Sequence, residues 1–374
     1  MVCKLSTITV AILVAMSHAN ASEATTKATA DLASRLKTNA SKITVVSEKQ
    51  TTWFDGSLGL RQPGRVYTKA IESGSVIILQ AQNTKYLYTS SKSTVKFGGP
   101  VDLWKKSLLY LAKHENEPNL NDDLMACSLL GTNPRLVLES VSDYQVLENN
   151  DILALRRTSR SGFDLLLLKA GSSKPIKVDG GFAYGEFAGN GQVWVAYKRP
   201  RLGAEWEIVY GLFGTKEPKV APMLPEGKPQ RFVCVQSEIL AKTGEGWYAL
   251  DTSAANPEWR TASAPLGLNE SPLLLNRSES LIVEMKGKDT YIATKFFTGI
   301  LTEIARIPNL ELKSFEYLLG RYVVVSGIQN GKLAVYIVDR HTKAVFESLS
   351  GDYRMPCVSG LATVPSVELS GFLK

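Results

Sequence analysis

The sequence predicts an all-β fold built from a repeated unit of four short strands. Three observations predict it. Beyond about Ile43 the chain is a succession of Val-, Ile-, Leu-, Tyr- and Trp-rich runs separated by Gly, Pro, Asn, Asp or Ser, the punctuation of strands and turns. No stretch sustains the 3.6-residue apolar period of an amphipathic helix. One apolar run recurs roughly every 43 residues, a period that belongs to repeat architectures.

Residues 1–21 read as a secretory signal: Lys4 gives the positive start, 8–16 is an apolar run too short to span a bilayer, and Ala19-Asn20-Ala21 is a small-residue cleavage site. Export to the periplasm or the extracellular medium follows as an expectation. The alternative for the same run is an uncleaved anchor. Residues 22–42 are rich in Ala, Thr and Lys, with Leu32 and Leu36 one helical turn apart, and read as a leader or short helix. Residues 43–374 are the repeat domain. Its first unit draws on 65–71, 76–79 and 86–89, with an additional strand from 43–46 or from the C-terminal segment 358–367. Residues 104–113 are the one later segment that also reads as a helix.

The recurring run occupies 108–112, 152–155, 193–197, 239–242, 281–284 and 322–325. From the second of these onward, a polar turn follows and then a further strand, at 163–168, 206–210, 247–251, 291–295 and 333–339. A third follows at 176–178, 218–220, 258–260, 303–306 and 344–347. A shorter run, such as 232–235, 273–275 or 315–318, precedes. In this arithmetic the chain resembles the β-propeller superfamily over residues 43–370. The resemblance implies radially packed blades that bury both faces of each sheet, which fits the unbroken apolar runs 163–168 and 322–325. It implies about seven blades; six and eight satisfy the same spacing. The Gly-His and Trp-Asp signature of WD repeats and the S-x-D-x-G-x-T-W boxes of sialidases are absent, so the likeness is architectural. A leader helix followed by Pro63-Gly64-Arg65 and extended strands also resembles the half-barrel of periplasmic lipoprotein carriers. That likeness implies a separate domain over 23–150.

Hydrophobic residues are 44% and charged residues 21% of the 374, with no apolar run after the N-terminus near the roughly 18 residues of a membrane span. Disorder, collagen, coiled coil and a polytopic membrane protein are excluded. The net charge of +7, one less without residues 1–21, fits solubility or contact with an acidic surface. In an exported chain nucleic acid is not the expected partner. Cys127, Cys234 and Cys357 form no C-x-x-C and read as buried thiols, or as one bridge with a leftover.

No catalytic, metal or cofactor constellation emerges. Beyond residue 21 the histidines are His114 and His341, without zinc spacing, and neither G-x-S-x-G nor a phosphate loop occurs. Residues 115–123 alternate oxygen side chains but lack the glycine of a calcium loop, and read as a solvated turn. The tryptophans read as packing between repeats. One basic constellation stands out. Arg156, Arg157 and Arg160 occupy the turn after one recurring run, and Lys198, Arg199 and Arg201 the same turn of the next. Equivalent turns of neighbouring units share a rim, so these six cations are the candidate site for phosphate, sulfate or carboxylate groups; two solvated basic hairpin tips are the alternative. The expected function is a non-catalytic exported binding or scaffold protein. Its partner is a protein or an anionic envelope component, lipid headgroup or acidic glycan. The alternatives are a propeller hydrolase or lyase acting on glycan or peptide, and a lipid- or lipoprotein-handling protein.

Overall fold

The computed structural model describes residues 22–359 and 369, apart from 93, 114–121, 160, 161, 216, 226, 265–272 and 277. The expected signal segment, His114, the loop 114–121, Arg160 and the segment 360–368 lie outside the described residues. No helix among the described residues is long and apolar enough to cross a membrane.

The expected leader is a helix, α1 (Glu23–Arg35). Ser22 caps it, its hydroxyl accepting the Thr25 N–H at 3.1 Å. Its buried stripe of Ala28 and Leu32 lies on the first sheet. Glu48 fastens the helix start by accepting hydroxyl hydrogen bonds from Ser22, Thr25 and Ser75.

That first sheet is antiparallel in the order β1 (Thr44–Trp53), β2 (Glu72–Ala81), β3 (Thr84–Ser91), β4 (Val95–Pro100). The strand expected at 65–71 does not form. With β1 and β3 paired to its two edges, β2 has none left for this segment, which stays in the loop 54–71 with Val66 99% exposed. Gly74 is required here: a Cβ would lie 1.8 Å from the Ser90 carbonyl oxygen and 2.4 Å from Trp53 Nε1, which donates to that same oxygen. Residues 104–113 are not a helix. A 3-10 turn (Val101–Lys105) leads into β5 (Ser107–Lys113), whose first five residues are buried on both faces.

The second sheet continues with β6 (Asp122–Ser128), β7 (Arg135–Val146), β8 (Ile152–Ser159), β9 (Gly162–Leu168) and β10 (Ile176–Gly181). β7 serves two units. Its first part pairs with β6 and its last part with β8, with register shifts between. Three four-stranded meanders follow: β11 (Ala183–Gly189), β12 (Val193–Arg199), β13 (Glu207–Leu212), β14 (Lys219–Val220); β15 (Arg231–Val235), β16 (Glu238–Lys242), β17 (Trp247–Asp251), β18 (Trp259–Ala262); β19 (Leu273–Asn276), β20 (Glu279–Lys286), β21 (Asp289–Phe296), β22 (Leu301–Ile307). The sixth sheet is β23 (Glu311–Leu318), β24 (Tyr322–Gln329), β25 (Lys332–Asp339), β26 (Val345–Gly351). β27 (Tyr353–Ser359) then returns to pair with β5. The C-terminal strand therefore completes the second unit, not the first.

The unbroken apolar runs feed two cores at once. Leu166 and Leu168 of β9 enter the core shared with β5–β8, whereas Leu165 and Leu167 enter the core shared with β12 and β13. Tyr322 and Val324 of β24 face the first and second sheets, and Val323 and Val325 face the fifth. Alternation along a strand sends successive side chains to opposite faces, and here both faces are covered. The buried residues of the fourth and fifth sheets belong to separate clusters. Cys127 and Cys234 are buried free thiols and Cys357 is a half-buried one, so no bridge links them.

Candidate functional site

The second and third sheets, which carry the two basic turns, touch through aromatic rings. Phe163 at the start of β9 and Tyr184 at the start of β11 pack edge to face, 6.4 Å between ring centroids. Several cations of these turns have partners within the chain. The Lys198 ammonium is buried and donates to both carboxylate oxygens of Asp179 at 2.8 Å and to the Gly180 carbonyl at 3.2 Å. The Tyr184 hydroxyl donates to the same carboxylate at 2.6 Å, and burial, then Asp179, pushes the Tyr184 phenol well above its usual range. Arg156 faces Asp164 across the β8–β9 hairpin, with 3.7 Å between Nη2 and Oδ2, and Lys177 lies 2.7 Å from the other oxygen of Asp164. The Arg157 guanidinium lies 5.8 Å from the Phe163 ring centroid. Arg199 lies 5.3 Å from the Trp206 ring, itself stacked on Tyr197 at 4.8 Å. Arg201 is exposed.

Sequence reasoning missed the two acids that neutralise this rim. Asp164 had a signal, because the hairpin register sets it directly opposite Arg156. Asp179 had none, because it reaches Lys198 from the preceding sheet.

The first strands of the units carry a second polar group. Burial, and then the charge of Glu186, pushes the Asp143 carboxyl of β7 up to about 6. The next residue, Tyr144, donates its hydroxyl to the Met355 carbonyl of β27. Glu316 of β23 accepts the Val358 N–H at 3.2 Å, and burial raises its carboxyl. β27 is thus held from both sides. The Gln145 side chain bonds the Gly189 N–H and carbonyl in the next sheet. His341, in the turn after β25, is exposed. Trp53, Trp104 and Trp194 are buried, in keeping with a packing role.

A third feature is apolar. The hairpin joining β21 to β22 exposes Phe296 at 39%, Phe297 at 83%, Ile300 at 63% and Leu301 at 51%. Its turn is well formed: the Phe296 N–H donates to Ile300 O at 3.0 Å, Gly299 N–H to Phe296 O at 2.9 Å, and Phe297 N–H to Ser278 O at 2.9 Å. Gly299, at φ +85°, supplies the left-handed position of the turn.

A family model described as Domain of unknown function (DUF8738) matches residues 25–97, which is α1, the first three strands, the loop 54–71 and the start of β4. No curated protein matches the chain. Among solved structures the chain is similar to TolB from Acinetobacter baumannii, at 13% identity over 83% of this chain and 82% of that one, with a TM-score of 0.44. It is also similar to a putative TolB from Agrobacterium tumefaciens, at 13% identity over 68% and 98% of the two chains, with a TM-score of 0.33. A puromycin-hydrolyzing peptidase from Mycobacterium tuberculosis matches at 13% identity over 85% of this chain and 54% of that one, with a TM-score of 0.31. At such identities function has to be argued from this chain's own side chains.

Proposed function

We propose that this protein is an exported, non-catalytic binding or scaffold protein whose partner is another protein. One observation carries the reading: the β21–β22 hairpin holds two phenylalanines, an isoleucine and a leucine in water on an ordered turn. Covering each such side chain is worth about 1.5–3 kcal/mol, and aromatic anchors dominate protein interfaces. In this reading β27 closes a ring of six four-stranded units, β7 being shared by two of them, and the unit of α1 and β1–β4 packs outside the ring. The rim cations still open to solvent, Arg199 and Arg201, are where an anionic lipid headgroup or acidic glycan would touch it. Export rests on the pattern of residues 1–21.

The test is a photo-crosslinking amino acid at position 297 in the native compartment, with position 202 as control, because Leu202 is also exposed but lies in a different sheet's turn. A discrete protein adduct from 297 and none from 202 is expected. Equal adducts from both, or none from 297, would contradict the reading.

A second reading, a hydrolase or lyase, has Asp143 in its favour, because a buried carboxyl raised by its surroundings, with a second acid, Glu186, close by, is the raw material of acid–base cleavage. It requires product from a glycan or peptide library that Asp143→Asn abolishes.

A further inference from the structure

A cavity of about 470 Å³ lies between the N-terminal unit and the outer edge of the sixth sheet. That is within the range of small-molecule sites. One wall is apolar: Phe97 of β4 and Phe346 of β26 pack at 5.5 Å between ring centroids, and Leu130 adjoins them. Three cations line the same space, Arg35 from α1, Arg65 from the loop 54–71 and Lys96 from β4, against one lining carboxylate, Glu347.

These cations differ from those of the basic turns in what they face. Lys96 donates to two carbonyls, Gly56 at 2.7 Å and Ser57 at 3.3 Å, which leaves one of its three protons without an acceptor in the described chain. Burial, and then the charge of Arg65, pushes the Lys96 ammonium below its usual range, with Asp55 and Glu72 opposing. The Arg65 side chain makes no ion pair or hydrogen bond among the described residues. Arg35 is paired to Asp31 at 2.6 Å and lies 4.4 Å from the Phe97 ring centroid, bridging the charged and apolar walls. The loop that carries Arg65 is fixed: Asn133 N–H donates to Arg61 O at 2.6 Å, and Arg61 N–H donates to Asn133 Oδ1 at 3.1 Å.

We propose that this cavity binds one small amphiphilic anion, its carboxylate or phosphate head on Arg65 and Lys96 and its apolar body against Phe97, Leu130 and Phe346. A guanidinium with no acceptor beside an ammonium with one spare donor is a site for two anionic oxygens. The aromatic wall selects against a bare inorganic ion. A neighbouring cavity of about 650 Å³, on the other side of Pro63 and Gly64, supplies an internal control. It is lined by Tyr110, Met125 and Tyr353 but carries Lys113 against Asp123 and Asp352, so it offers an anion no net attraction. The proposal does not depend on the protein partner.

The experiment is calorimetric titration of the purified protein at low salt with decanoate, decyl phosphate, decanol and inorganic phosphate. Both decyl anions should bind one per chain, with decanol and phosphate at least tenfold weaker. Arg65→Gln should weaken decanoate about tenfold. Val345→Trp, which fills the cavity from an exposed position on β26, should abolish binding, and Lys113→Gln should leave it unchanged. Because Arg65 is exposed and unpaired, its variant folds and decides the matter even if the tryptophan variant does not. Four results would overturn the proposal: no saturable binding of either decyl anion, inorganic phosphate or decanol binding as tightly as they do, unchanged binding in Arg65→Gln, or loss in Lys113→Gln.

Discussion

Arg156, Arg157, Lys198 and Arg199 come from two equivalent turns, and each has a partner within the chain: an acid for Arg156 and Lys198, an aromatic ring for Arg157 and Arg199. Arg65 and Lys96 come from an irregular loop and the edge strand of a different sheet, and their charge faces a cavity. The difference lies in how each group acquires neighbours. In a repeated hairpin the register that positions a cation also positions the residue opposite, and here that residue is Asp164. The adjoining sheet contributes Asp179 at the same level, close enough to enclose Lys198. The loop 54–71 has no register, so nothing sets a carboxylate opposite Arg65. Regular structure gathers cations and neutralises them; the irregular loop leaves one unneutralised.

The comparison breaks most visibly at Lys198. Lys198→Met leaves the Asp179 carboxylate buried without its counterion, and about 3 kcal/mol of stability should be lost in urea unfolding at pH 7. The double variant Lys198→Met, Asp179→Asn removes both charges, keeps an acceptor for the Tyr184 hydroxyl and should recover most of that loss. A single variant with an unchanged midpoint would mean that Lys198 is free.

Asp143 is the converse case, a carboxylate with no cation of its own, because nearby Arg354 is hydrogen-bonded to Asp122. Its folded-state carboxyl, raised to about 6 from an ordinary 3.8, holds its proton more tightly than in the unfolded chain. Its contribution is therefore most favourable below pH 4, declines as pH rises from about 4 to about 6, and stays low above that. Asp143→Asn should remove the decline, with a gain on the order of 2 kcal/mol at pH 8 and none at pH 3. An unaltered pH profile would show the carboxyl to be well solvated.

The smallest effects belong to the exposed cations. Arg65→Gln and Arg201→Gln should each shift stability by less than about 0.5 kcal/mol, as surface changes do. A larger loss at Arg65 would reveal a structural partner and remove the contrast.

Much of the fold was legible. The recurring runs at 152–155, 193–197, 239–242, 281–284 and 322–325 all fall in the second strands of their units, because short apolar segments bounded by turn residues cannot satisfy their backbone except by pairing. The leader helix was legible from Leu32 and Leu36, one helical turn apart and both buried; its Ser22 cap was not read from the sequence. What escaped was pairing at a distance. Nothing in 135–146 announces that one strand serves two units, and nothing in 353–359 names β5 as its partner. Residues 65–71 carry strand-forming side chains, but β2, the strand they lead into, is already paired on both edges. The six-cation rim was read from the equivalence of two turns alone, but charge depends on the acids nearby, and Asp179 lies in another element. The cavity had no sequence signal, because its walls come from α1, the loop 54–71, β4, the β6–β7 turn and β26.

The contrast between committed and available cations rests on one ion pair more than any other. A double-mutant cycle between Asp179 and Lys198, measured by urea unfolding at pH 7, reads it directly. A coupling of about 2 kcal/mol or more is expected for a pair this enclosed. A coupling indistinguishable from zero would return Lys198 to the rim as an open binding cation and contradict the distinction drawn between the two regions.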